Sequence, residues 1–419
     1  MEERPGWLRE VVLYLTAQGV SQFGSGVVGF AVAWYIALKT GSGAQYAALL
    51  VTSSLAMAIT AIPGGIWADR YWRKALMIGA DGLVAVATAG LALVMLRGHE
   101  ALWIIVIALA VRGLGGGIQS PAVSAALPQI VPVGKLMRVN SVNQAISAGI
   151  QVGSPALAGV LLTFWPIGWI LLVDVVTAAI GIGITVFIRI PRVKLDPAAP
   201  QPEGILGYFA HLGEAIRHAA RYPGLKRALW LGGLLLTIIV PFAQMTPVFV
   251  VRLFGDDKWM LAVVEATWSL GMVGGGLVIA LWGGLRNRMA LVMIACGVLS
   301  ALTMGMGFAP TIWVFVAIMV AMGFALPMLS TPLITAIQEL MPEAMMGRIM
   351  SVVTLLTTVC GPLGLAIAGV LSDHLSLSWM AFTCGGVGVI LLVVMGLRGG
   401  PACRLYPPER HPAVVSAGH

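Results

Sequence analysis

Apolar residues run along this chain in long, nearly unbroken stretches, and polar residues collect in short breaks between them. A bilayer crossing needs about 20 predominantly apolar residues. Stretches of that kind fall near 11–38, 44–66, 75–96, 101–124, 140–164, 167–189, 228–252, 259–282, 289–308, 311–334, 347–371 and 378–397. Each is too long and too evenly apolar for the alternating strand of a membrane barrel. Helices are the other structure that satisfies its own backbone in lipid. The expected fold class is therefore all-α and integral to the membrane, with about twelve transmembrane helices.

Composition agrees with that pattern. Apolar residues make up 59% of the 419 and charged residues 10%, against about 25% charged in soluble domains. The net charge of +8 reads as topology. Of 25 Lys and Arg, Lys39, Arg97, Arg252 and Lys258 fall in breaks on one side and Arg112 inside a span, which leaves twenty on the side of the termini. By the positive-inside rule that side is the cytoplasm, so nucleic acid is not an expected partner and lipid is. No cleavable signal segment is expected before the first span. Cys296, Cys360, Cys384 and Cys403 have no metal-binding spacing, and the six His lie outside the spans. Neither a metal nor another cofactor is expected, and a monomer is.

The chain also repeats itself. At an offset of 210, residues 121–161 echo 332–371: Pro132 with Pro342, Arg138 with Arg348, Ser141-Val142 with Ser351-Val352, and AGVL at 158–161 with AGVL at 368–371. Two pseudo-symmetric six-helix bundles follow, a transporter plan with the substrate site near the midplane between them. The boundaries read 1–190, a linker at 191–227, 228–400, and a tail at 401–419. Within the linker, Ile205, Phe209, Leu212 and Ile216 recur at helical spacing, which predicts an amphipathic helix on the membrane surface.

Polar residues inside spans mark faces turned away from lipid. Gln18, Gln22 and Ser25 form one stripe in span 1, with Gln244 alone in span 7; these are substrate-cavity candidates. Span 5 carries Asn140, Gln144, Ser147, Gln151 and Ser154, for cavity lining or for helix–helix hydrogen bonding. Span 11 keeps Ser351, Thr354 and Thr357. Asp81, Asp174 and Glu265 are the intramembrane carboxylates, the proton-coupling candidates, and Arg112 is placed to tune one of them. Asp81 lies about two turns beyond Lys74, and pairing with it is the plainer alternative. No phosphate-binding G-x-x-x-x-G-K-[S/T] loop is present, so energy comes from an ion gradient or from the substrate.

One short polar run stands out. In GGIWADRYWRK, residues 64–74, Gly64 and Gly65 permit a tight turn or close helix approach. Asp69, an acid in a basic loop, can meet a helix amino terminus. The spacing Gly65, Asp69, Arg70, Arg73, Lys74 resembles the cytoplasmic loop motif of the major facilitator superfamily, with Trp72 where a glycine is usual. That resemblance implies that acid and bases latch the two halves on the cytoplasmic side. VRGLGGG resembles the family's span-4 motif, which implies a part for Arg112 in proton exchange. SPALAG, with Ser154, Pro155 and Gly159, resembles the antiporter motif of span 5. The family plan also implies that spans 3 and 6, which carry Asp81 and Asp174, lie outside the cavity. SQFGSGVVGFAVAWYIALKTGS at 21–42 is similar to macrolide-efflux proteins, and LPQIVPVGKLMRVNS at 127–141 to those and to enterobactin exporters.

Together these imply a secondary transporter in the cell membrane that exports amphipathic, drug-like molecules against protons by alternating access. A dedicated siderophore exporter or a proton-coupled uptake carrier is the alternative within the fold. A membrane enzyme or sensor is the remote one.

Overall fold

The computed structural model describes residues 6–191, 233, 237–285, 288–340 and 343–398. The predicted linker helix and the tail lie outside the described residues.

Each long apolar stretch is a helix: α1 Trp7–Thr40, α2 Gly43–Arg70, α3 Arg73–Leu96, α4 Leu102–Ile130, α5 Leu136–Phe164, α6 Ile167–Phe187, α8 Lys258–Trp282, α9 Arg288–Met306, α10 Ile312–Leu340, α11 Glu343–Ser372 and α12 Leu377–Arg398. Among the described residues, nine helices are long and apolar enough to cross a membrane and two shorter apolar stretches accompany them. Among the described residues the seventh crossing includes α7a Val240–Gln244 and α7b Thr246–Phe254, broken at Met245, and with it the crossings number twelve.

That break departs from the continuous run expected over 228–252. Proline cannot donate a backbone hydrogen bond and its ring crowds the preceding turn. Pro241 and Pro247 stand at the starts of the two pieces. The carbonyl of Ala243, which Pro247 cannot reach, accepts the Thr246 hydroxyl at 2.7 Å instead.

Helices α1, α3, α4 and α6 pack together, with α2 on α4 and α5 on α1; in the second half α8 packs on α10, and α9 on α10 and α12. Two helix pairs carry most of the join between the halves, α2 with α11 and α5 with α8, and α1 also meets α7b. Small residues permit both approaches. A Cβ on Gly369 of α11 would stand 2.3 Å from the Ala47 methyl of α2, and one on Gly159 of α5 would stand 2.5 Å from the Ala262 methyl of α8.

The cores are distributed unevenly. On the face where α1 ends, one cluster runs through both halves, from Trp34, Leu49 and Leu171 to Phe249, Phe315 and Leu365. On the opposite face, among the described residues, the clusters are separate. Tyr14, Met77, Leu127 and Val139 belong to the first half, and Val292, Cys296 and Leu392 to the second. The halves share a core at one end and part company at the other.

Candidate transport site and gates

The first half buries a connected set of polar side chains. Asp174 on α6 is fully buried. Its Oδ1 accepts Ser25 Oγ of α1 at 2.7 Å, and its Oδ2 accepts Thr88 Oγ1 of α3 at 2.9 Å. Arg112 of α4 closes the set with an ion pair to Asp174 and a hydrogen bond to Thr88, and donates to the Ser25 carbonyl at 3.3 Å. A buried arginine in lipid requires such compensation.

One turn along α1, Ser21 holds the other acid. Asp81 Oδ1 accepts Ser21 Oγ at 3.0 Å and Gln119 Nε2 at 2.6 Å. Asp81 is 4% exposed, and no cation pairs with it among the described residues. The alternative that paired it with Lys74 does not hold, because the Lys74 ammonium donates to the carbonyls of Val186 at 2.6 Å and Ile188 at 3.0 Å. Both aspartates are therefore buried within their bundle, although the family plan puts α3 and α6 outside the cavity. Glu265 on α8 is half-buried.

The span-1 stripe divides. Gln22 is exposed, Gln18 is buried with no partner for either end of its amide, and Ser25 belongs to the Asp174 set. On α5, Asn140, Gln144 and Gln151 are exposed, while buried Ser154 donates to the Phe23 carbonyl at 3.3 Å. Pro155 is buried beside it. The Gln244 side chain is exposed, and its carbonyl accepts Tyr46 Oη at 2.9 Å. Side chains at 351, 354 and 357 lie outside the described ones.

The run 64–74 is mostly helical. Gly64 and Gly65 are not in a turn, since α2 continues to Arg70 and only Tyr71 and Trp72 separate it from α3. Gly64 serves close packing: a Cβ there would stand 2.6 Å from the Gly117 carbonyl oxygen. Arg73 caps carbonyls of Ala68 and Ala125 at 2.9 and 2.7 Å. Arg70 is exposed. Asp69 is 70% exposed and reaches only Arg73, at 3.8 Å. Gly65 has open space around it.

The opposite face carries a tighter cluster that the sequence reading missed. Asp373, just past α11, accepts Ser42 Oγ at 2.5 Å and the backbone N–H groups of Gly43 and Ala44 at 2.8 and 3.2 Å. It caps the start of α2, a helix of the other half. Arg252, at the end of α7b, donates to Asp373 at 2.6 Å, to the Ser372 carbonyl at 2.5 Å and to the Gly41 carbonyl at 2.8 Å. Lys258 donates to the Leu162 carbonyl at the end of α5, 210 positions before Ser372 in the repeat. Partial burial pushes the Asp373 carboxyl up. Hydrogen bonds from Ser42, Gly43, Ala44 and Arg252 outweigh that and hold it below its ordinary value. One signal was available: after the repeated AGVL, the first copy continues Leu162-Thr163 and the second Ser372-Asp373.

Twelve crossings in two halves, an ion pair and a second aspartate buried in one half, and polar clasps at the ends of the helices that join them define a multi-pass membrane transporter. The chain belongs to the Major Facilitator Superfamily, whose model matches residues 14–364 and 266–416. It is 25% identical over 403 residues to macrolide efflux protein A of Streptococcus pyogenes, covering 94% of this chain and 97% of that one. It is 27% identical over 409 residues to the enterobactin exporter EntS of Citrobacter koseri, covering 94% and 95%. It is 25% identical over 412 residues to the multidrug efflux pump Tap of Mycobacterium tuberculosis, covering 93% of each. Among solved structures, a bacterial homologue of the lysosomal transporter Spinster superposes with a TM-score of 0.70 at 16% identity, covering 97% of this chain and 100% of that one.

Proposed function

We propose that this protein is a proton-coupled exporter of amphipathic, drug-like molecules, set in the cell membrane as a monomer with both termini and the Asp69 end in the cytoplasm. Its halves are 1–190 and 228–400, joined by the linker at 191–227, with a cytoplasmic tail at 401–419. The observation that carries alternating access is the contrast between its two ends. The halves share one core and the Asp373 clasp on one face; on the other they have separate cores, and Asp69 is exposed and reaches only Arg73 of its own half among the described residues. That is a state open to the cytoplasm, in which Asp69 waits for the inner face to close.

Asp81 is the proton carrier in this reading. It is a buried carboxylate held by two neutral donors, whereas Asp174 is matched by Arg112. An unpaired buried carboxylate is costly as an anion. Arg112 and Asp174 pass the change to α1 through Ser25, one turn from Ser21. Glu265, at the α5–α8 seam, is a second titrating group.

The exposed polar groups named on α1, α5 and α7a are the neutral amides of Gln22, Asn140, Gln144, Gln151 and Gln244. They favour an amphipathic substrate with hydrogen-bonding groups over a multiply charged siderophore. The test is Asp81→Asn in proteoliposomes. It should lose uphill accumulation driven by a pH gradient yet keep substrate exchange, which moves no net proton. Full gradient-driven accumulation by Asp81→Asn would reject the assignment.

A further inference from the structure

The proposed proton relay and gates leave one built feature unused. Near their amino-terminal ends α1 and α5 enclose a groove of about 410 Å³. Val11, Val12 and Leu15 of α1 and Val139 and Val142 of α5 form its walls, and Trp7, Lys135 and Arg138 line the end nearest the helix starts.

The two cations differ from those built into the fold, and unlike Arg9, Arg70 and Arg97, which are also exposed, they line an apolar groove. Arg73, Lys74, Arg112, Arg252 and Lys258 each donate to protein oxygens. Lys135 and Arg138 are exposed and donate to none among the described residues. They also sit at the start of α5, where the helix dipole opposes positive charge. Net positive charge on the cytoplasmic side accounts for their sign, but not for the apolar trough beneath them.

The groove points away from the substrate path. Val142 is two residues from Gln144, hence about 160° round α5 at 3.6 residues per turn. If the exposed amides face the cavity, Val142 and Arg138 face lipid.

We infer that this groove binds one anionic phospholipid of the cytoplasmic leaflet, with its phosphate between Lys135 and Arg138 and an acyl chain along the valine wall. Charge complementarity selects an anionic headgroup, and the apolar trough selects a lipid over free phosphate. The site lies on the α1–α5 seam, where Ile146 packs on Gly19 and Ser154 on Gly26, so the lipid braces the helix that faces α8. The leaflet rests on the orientation proposed above; the binding itself does not.

Native mass spectrometry of the full chain, equilibrated with phosphatidylglycerol or phosphatidylethanolamine, tests this. The wild type should retain one phosphatidylglycerol under conditions that strip phosphatidylethanolamine. Lys135→Gln with Arg138→Gln should weaken retention about thirtyfold, at about one unit of surface-charge energy per residue. Val142→Trp, which fills the trough at an exposed position and leaves both charges, should weaken it too. Equal retention of the two lipids, or no loss in the charge variant, overturns the site. Loss in the charge variant with full retention in Val142→Trp also overturns it, in favour of a headgroup contact alone. A cysteine at exposed Met137 that is labelled from outside intact cells, with lipid retention unchanged, overturns the orientation and leaves the groove standing.

Discussion

Replacing Asp373 by alanine should open the outer face. The carboxylate accepts four hydrogen bonds: three across the seam, from Ser42 and the N–H groups of Gly43 and Ala44, and one from Arg252 of its own half. Losing a good helix cap costs about 1–2 kcal/mol. The Arg252 pair adds at most about 1 kcal/mol, because the two side chains are 28% and 25% exposed and solvent screens them. Together these remove about 1–3 kcal/mol from the outer-closed state, a shift of about five- to 150-fold in the balance of states. Ala47 reports the change. It is 2% exposed beneath the clasp, against Gly369. In a background without the four native cysteines, Ala47→Cys should react slowly with an impermeant maleimide added outside. Asp373→Ala should speed that reaction by at least about fivefold, the low end of the range just given, at unchanged expression. Equal labelling with and without Asp373 would refute the clasp as the outer gate.

Three further outcomes follow from the same geometry. Because Asp373 is held below its ordinary value in the closed state, its contribution is complete above the ordinary carboxylate value and fades as external pH falls through the depressed one. Labelling at residue 47, taken relative to a fully exposed control cysteine at the same pH so that the thiolate fraction cancels, should therefore be flat from about pH 5 to 8 and rise only below about pH 4. Arg112→Ala leaves Asp174 buried and unpaired, which costs about 3–5 kcal/mol; gradient-driven efflux should vanish, and Arg112→Lys, lacking the planar fork, should recover only part of it. A folded Arg112→Ala that exports at full rate would contradict this. Asp69→Asn should slow turnover with substrate binding retained, because in the inward-open state Asp69 is exposed and only loosely paired with Arg73, and it acts across the halves only when the inner face closes; lost binding at normal turnover would count against it.

The helices, the two halves and the buried charges were legible in the sequence because lipid makes apolar length and internal charge so informative. Arg112 was visible as a mid-span cation, but its partner was not. Asp174 lies 62 positions away on a helix that the family plan puts outside the cavity. The break in the seventh crossing was readable from Pro241 and Pro247, and the even hydropathy around them hid it. Ser42 and Asp373 were the hardest. They are 331 positions apart, each an ordinary polar residue at a helix end, and only the closure of two halves makes them a gate. Of the tight turn and the close helix approach read for Gly64 and Gly65, only the approach holds, and only at Gly64, where a Cβ would stand 2.6 Å from the Gly117 carbonyl oxygen.

Substrate-driven proton movement tests the central claim most directly. Purified protein in liposomes with a trapped pH dye, without nucleotide or an imposed gradient, should move protons opposite to a macrolide or amphipathic dye running down its own gradient. That proton flux should be absent in Asp81→Asn. Substrate flux through the wild-type protein with no change in internal pH would contradict proton coupling.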